Sequence, residues 1–191
     1  MIETWRHNKL KSKYGQTSSW AIWKEAGLKP KSNTGDMTIF NENICDKLND
    51  RYVFVGLNVS TTPKNEPWKN FHSDSKYQQD YKLRYALKDT KFWSSYITDI
   101  IKEYPNVKSS VVRKNLKNNP KKIEENIEKF KNELSILSDK PPVIIAMGND
   151  SYNILNNNLD KKYTITKILH YSYRISKEEY KDKVLSELKN I

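Results

Sequence analysis

Two kinds of hydrophobic pattern alternate along the chain. Residues 52–55, Tyr-Val-Phe-Val, are aromatic or β-branched at every position, and 142–147, Pro-Val-Ile-Ile-Ala-Met, repeat the continuous apolar pattern. A run without alternation predicts a strand covered on both faces. Residues 91–101, K-F-W-S-S-Y-I-T-D-I-I, and 164–169 read as two further strands. Between them the period changes. Ile123, Ile127, Phe130, Leu134 and Leu137 recur at steps of three and four, with Asn119 to cap and Pro120 at the first helical position. That predicts a helix over 120–137. Helices are also expected over 77–87, from Gly148-Asn149-Asp150-Ser151 through Leu155, and over 177–188. The last opens on a capping box of Ser176 and Glu179. Alternating strands and helices predict an α/β fold in three layers, α/β/α, with four parallel strands and helices on both faces.

Residues 51–191 carry this pattern, and residues 1–50 read as an N-terminal helical and loop extension packed on that core. Trp5, Trp20 and Trp23 are interleaved with Lys9, Lys11 and Lys13, and residues 18–23 are expected to begin a short helix closed by Gly27. The tryptophans either stack bases or dock the extension, and docking is the preferred reading. Pro30, Asn33 and Gly35 mark a loop over 29–36, and 37–49 is a connector. A long polar loop over 61–74 holds Trp68, Phe71 and His72. Pro105 lies in a turn at 104–107. Residues 109–119, with Arg113, Lys114 and Lys117, read as a basic loop facing either phosphate or solvent.

Charge narrows the partners. Lys and Arg number 34 against 23 Asp and Glu, a net charge of +11. An anionic partner follows, nucleic acid first and DNA ahead of RNA, with solvated lysines as the alternative. Cys45 is the only cysteine, which fits a reducing cytoplasm and excludes a four-cysteine cluster within one chain. No run is apolar over a bilayer's thickness. Walker and dinucleotide glycine patterns are missing, and His7, His72, His170 and Cys45 lack ligand spacing. The expectation is a monomer without metal or cofactor. A Ser60–His170 nucleophile pair lacks a nucleophile elbow and is set aside.

The chemistry gathers at strand ends. Ligands of open α/β sheets bind beyond the carboxyl ends of the strands. Asn58, Asp99, Gly148 and His170 fall there, and Gly56 allows close backbone approach. The pieces G-L-N-V-S, S-Y-I-T-D-I-I-K-E-Y-P, V-I-I-A-M-G-N-D-S-Y-N-I-L and H-Y-S-Y-R, in this order, resemble the uracil-DNA glycosylase superfamily. The resemblance spans about 52–174. It implies the superfamily's fold and excision of a flipped base. It makes Asn58 the polar residue of the water-positioning motif, beside Gly56 and Leu57. It makes His170 and Ser172 the His and Ser of the His-Pro-Ser motif. Thr98 and Asp99 match the strand end that reads the base edge, and Phe71 the stacking aromatic. Arg113, Lys114 and Arg174 are candidates for backbone phosphates.

Three departures change the expected chemistry. Val59 and Tyr171 stand where both motifs carry Pro, the cluster cysteines of the thermophilic branch are missing, and Asp99 replaces an amide with a carboxylate. An ionised Asp can only accept hydrogen bonds, whereas uracil O4 requires a donor. Asn58 cannot act as a general base, so it would orient a water through its carbonyl. His170 would stabilise charge on the departing base. The alternative is a protein that keeps the fold and binds nucleic acid without turnover. Loop capping by Asn58 or Asp99, a strand-end role for His170 and simple packing of Phe71 are the corresponding structural readings.

Overall fold

The computed structural model describes residues 1–41, 43–60 and 66–191. Part of the expected loop over 61–74, including Thr61, Thr62 and Pro63, lies outside the described residues. The element order is α1 (Thr4–Tyr14), β1 (Ser18–Trp20), two 3-10 turns (Thr38–Phe40, Cys45–Lys47), β2 (Asn49–Asn58), α2 (Tyr81–Leu87) and β3 (Ser95–Ile101). Then follow α3 (Ser109–Asn118), α4 (Pro120–Leu137), β4 (Val143–Met147), α5 (Asn149–Asn158), β5 (Ile165–Ile168) and α6 (Lys177–Glu187).

The sheet order is β1-β3-β2-β4-β5. Neighbouring pairs among β3, β2, β4 and β5 are parallel. The α/β class stands, but among the described residues the sheet has five strands, because β1 adds an antiparallel edge to β3. Residues 18–23 therefore do not form the expected helix. Ser18, Ser19 and Trp20 pair with Thr98, Ile97 and Tyr96, and a partner so distant in sequence leaves no local periodicity to read. The strand expected from residue 91 starts at Ser95, since 91–94 form a turn with Ser94 at φ 59. Residues 109–119 are mostly helix, not loop; Val112 and Leu116, four apart, bury the inner face of α3.

Continuous apolar strands follow from coverage on both faces. Val53, Val55, Ile144, Ala146, Tyr96 and Ile100 face one core, with Leu10 of α1, Leu116 of α3, Phe130 and Leu134 of α4 and Leu155 of α5. Tyr52, Phe54, Ile97, Ile145, Met147 and Ile168 face the other, with Leu83 and Leu87 of α2 and Tyr180 and Val184 of α6. Of the N-terminal tryptophans, Trp20 and Trp23 are buried and Trp5 is exposed. The expected cap of α6 forms, with Ser176 Oγ accepting from Glu179 N at 3.0 Å.

One charged network crosses the first core. Glu133 of α4 is fully buried. Its Oε1 accepts from Tyr96 Oη at 2.8 Å and Thr98 Oγ1 at 2.9 Å, and its Oε2 lies 2.9 Å from Lys102 Nζ. Lys102 Nζ also donates to Thr98 Oγ1 at 2.7 Å and Asp99 O at 2.5 Å. The ammonium thus ties α4 to the end of β3. Removing one partner of a buried pair leaves an uncompensated charge. Lys102→Met is expected to lower unfolding free energy by about 3–5 kcal/mol in urea titration. Adding Glu133→Gln should recover much of that loss; no recovery would show that the pair is not the cause.

Candidate functional site

The sheet brings four strand ends to one edge. Gly56 of β2 stands beside Asp99 of β3 in the parallel register. A methyl group at Gly56 would run into Asp99 Oδ1, so glycine here makes room for the carboxylate. Asp99 is buried, and its Oδ2 accepts from Asn70 Nδ2 at 3.1 Å. Burial pushes the Asp99 carboxyl up to about 6, against the Asn70 hydrogen bond and the nearby Lys102 charge. Asn70 also donates to Thr17 O at 2.7 Å. Sequence reasoning missed Asn70; its only signal was adjacency to Phe71 in a polar loop.

Asn58 closes β2. Its Nδ2 donates to Val59 O and Asn106 O, both at 2.8 Å, while Asn106 N donates to Val59 O at 3.1 Å. The loop after β3 is thereby stitched to the end of β2. The amide orientation is set by these two bonds, and among the described residues Oδ1 has no donor. Leu57 and Thr98 are not part of this edge. Leu57 packs into the first core, and Thr98 faces Glu133 on the side of β3 opposite Asp99.

His170 follows β5. Gly148, at φ 92, ends β4 next to it, and a Cβ there would meet the Cβ of His170 at 3.5 Å. A side chain at that φ is strained, so the turn favours glycine. Ser172 N donates to His170 Nδ1 at 3.1 Å, and Ser172 Oγ lies 2.8 Å from the same nitrogen. A nitrogen that accepts a backbone N–H cannot carry its own proton. The neutral ring therefore holds its hydrogen on Nε2. Burial pushes the imidazole down to about 4, so His170 is neutral at physiological pH. His72, which is fully buried, is also held neutral, at about 3, and its Nε2 bonds Trp20 O at 3.3 Å.

Aromatic rings complete the edge. Tyr171 stacks on His170, with centroids 4.4 Å apart at 28°, and meets Phe71 edge-on at 6.5 Å and 77°. Phe71 sits at φ 66, a conformation rare for a bulky residue. Trp23 Nε1, donating to Phe71 O at 3.1 Å, and Asp80 Oδ2, accepting from Ser73 N at 2.9 Å, hold that turn. Burial raises the Asp80 carboxyl to about 7. Of the basic candidates, Lys114 and Arg174 are exposed. Arg113 lies on α3, with Nη1 3.5 Å from Asp150 Oδ1 in the first turn of α5. Among the described residues, no cluster of three metal-ligating side chains occurs and no helix is long and apolar enough to cross a membrane.

Set beside known proteins, residues 43–189 match the family model of the Uracil DNA glycosylase superfamily. No curated protein and no solved structure matches.

The Asp99 proton has a stability consequence of definite sign. The folded carboxyl titrates at about 6 against 3.8 ordinarily. The folded state therefore binds the proton more tightly than the unfolded chain. Its contribution is fully present below about 4, falls as pH rises toward 6, and is lost above. A shift of that size corresponds to roughly 3 kcal/mol. Asp99→Asn is expected to unfold at a higher temperature than wild type at pH 8, with the difference shrinking toward pH 4. A difference independent of pH in calorimetry would contradict this.

Proposed function

The chain belongs to the uracil DNA glycosylase superfamily, and we propose on that premise that it hydrolyses the N-glycosidic bond of a flipped or single-stranded base in DNA. A base within a duplex is out of reach, so the base must leave the stack. The bond from C1′ to the base nitrogen breaks, and its electron pair departs with the base. His170 Nε2–H donates a hydrogen bond where that negative charge collects, which favours the transition state over the ground state. Water oriented by Asn58 Oδ1 adds its oxygen to C1′, and the proton it sheds passes to solvent. Asn58 contributes orientation and a carbonyl dipole beside the positive sugar, not proton abstraction. Phe71 supplies an apolar ring for the base.

The observation that carries this reading is the bond from Ser172 N to His170 Nδ1. With a ring that is neutral above about pH 4, it supports a neutral Nε2–H donor at the carboxyl edge of the sheet. Asp99 supports a choice of base. Above about pH 6 its carboxylate accepts from an exocyclic amine such as cytosine N4. Against uracil O4 it sets acceptor against acceptor, a buried mismatch of about 1–3 kcal/mol. Arg113, Lys114 and Arg174 are the proposed phosphate contacts.

A second reading, nucleic-acid binding without turnover, is favoured by one observation: both Nδ2 hydrogens of Asn58 are committed to carbonyls. Oligonucleotides bearing single modified or mismatched bases, followed by alkaline cleavage at abasic sites, separate the two. The hydrolase reading expects abasic product that drops by at least about a hundredfold in Asn58→Ala and His170→Ala. Salt-dependent binding with no abasic product on any base would establish the binder. Asp99→Asn is expected to act on uracil better than wild type at pH 7.5; equal or lower activity would remove Asp99 as the discriminating group. Affinity for single-stranded DNA should fall steeply with salt, with a shallower slope in Arg113→Ala and Arg174→Ala.

A further inference from the structure

Asn70 stands between two acceptors. Its Nδ2 donates to Thr17 O at 2.7 Å and to Asp99 Oδ2 at 3.1 Å. A backbone carbonyl only accepts, so the nitrogen of the amide must face Thr17, and its second hydrogen reaches Asp99. Thr17 thus aims the donor, and the donor occupies one oxygen of the Asp99 carboxylate. The other oxygen, Asp99 Oδ1, has no hydrogen bond among the described residues and lies in the space that a side chain at Gly56 would fill.

The segment that aims Asn70 also fixes its loop. Trp68 N donates to Gly15 O at 2.6 Å, Ser19 Oγ to Trp68 O at 2.7 Å and Trp23 Nε1 to Phe71 O at 3.1 Å. Residues 18–20 pair at the same time with β3, the strand that carries Asp99. One stretch, 15–23, therefore holds both the loop of Asn70 and the strand of Asp99. All of it precedes residue 43, where the family match begins. We propose that Asn70 is a positioning residue for base recognition: aimed by the N-terminal segment, it occupies Asp99 Oδ2 and leaves Oδ1 as the one oxygen that reads the base. The base-reading half rests on the glycosylase reading of the site; the hold on Asp99 does not.

The hold decides where a proton on Asp99 sits. Oδ2 already faces an N–H, so the proton goes to Oδ1. Protonated, that oxygen donates and suits uracil O4; ionised, it accepts and suits the cytosine N4 amine. The charges acting on Asp99 are Lys102, whose Nζ also bonds Asp99 O at 2.5 Å, and Glu133 of α4. These two lie 2.9 Å apart and act in opposite senses. His170 and Tyr171, both held neutral by burial, add none. Asn70 is the donor that favours the ionised form by direct contact.

Carbon-13 NMR of the Asp99 carboxyl reads its titration in wild type, Asn70→Ala and Asn70→Asp, after circular dichroism has confirmed folding. The midpoint is expected to move up by about one pH unit in Asn70→Ala, and further in Asn70→Asp, where a second carboxyl faces Oδ2. In wild type, one Asn70 side-chain amide proton should shift with that titration, while the other, on Thr17 O, should not. Oligonucleotides bearing a single uracil or cytosine are followed in parallel for abasic product from pH 5 to pH 8. The ratio of uracil to cytosine product is expected to fall through the Asp99 midpoint, and to move with it in Asn70→Ala. Folded variants with the wild-type midpoint, or wild-type Asn70 amide protons blind to the Asp99 titration, overturn the proposal. Product whose base ratio ignores the midpoint overturns Oδ1 as the reader. A moved midpoint with no product on either base upholds the hold on Asp99 and removes the glycosylase reading. An unmoved midpoint with product in all three proteins does the reverse.

Discussion

Strand β2 has an apolar layer on each face, and that constraint places everything else. Val53 and Val55 meet one core, Tyr52 and Phe54 the other. With water excluded from both faces, an unpaired polar group along the strand would cost more than it could recover. Polar groups inside the layers are therefore paired, as Glu133 is with Tyr96, Thr98 and Lys102, and open polar chemistry falls where the strands end. Parallel pairing then puts the ends of β3, β2, β4 and β5 along one edge, which gathers Asp99, Asn58, Gly148 and His170 from stretches far apart in the chain.

Asp99 brings a carboxyl into the second core, and two neighbours make this possible. Gly56 leaves the volume that its carboxylate fills, and Asn70 supplies one donor. One neutral donor does not replace lost hydration, so the carboxyl holds its proton up to about pH 6. His170 responds to burial in the opposite sense and stays neutral. The edge thus pairs an acceptor that becomes charged near physiological pH with a donor that does not. The Lys102–Glu133 pair, on the far side of β3, anchors the strand that carries Asp99.

Much of this was legible in the sequence because its causes are local. The period of Ile127, Phe130 and Leu134 specifies α4, and Pro120 its start, whereas Asn119 makes no capping bond and donates its side-chain amide back to Asn115 O. The unbroken apolar runs of β2 and β4 announce two-sided burial. What escaped depends on distant partners. Ser18–Trp20 is a strand only because β3 offers an edge. Residues 109–119 read as a basic loop because three basic residues, Arg113, Lys114 and Lys117, outnumber the two apolar residues that pack α3. Polar strand ends announced Asn58, Asp99 and His170 as a set. Asn70 and Tyr171 matter through whom they touch, which no spacing reveals. Thr98 and Leu57, adjacent to site residues in sequence, point to the other layer because strand side chains alternate.

The central claim is that His170 presents a neutral Nε2–H because Nδ1 is held by the Ser172 backbone. Long-range proton–nitrogen correlation NMR of the imidazole, followed from pH 8 down to pH 4, reads tautomer and titration together. The account predicts a protonated Nε2 and an unprotonated Nδ1 across neutral pH, with a titration midpoint near 4. A proton on Nδ1, or a midpoint near the ordinary histidine value of about 6.5, would contradict it.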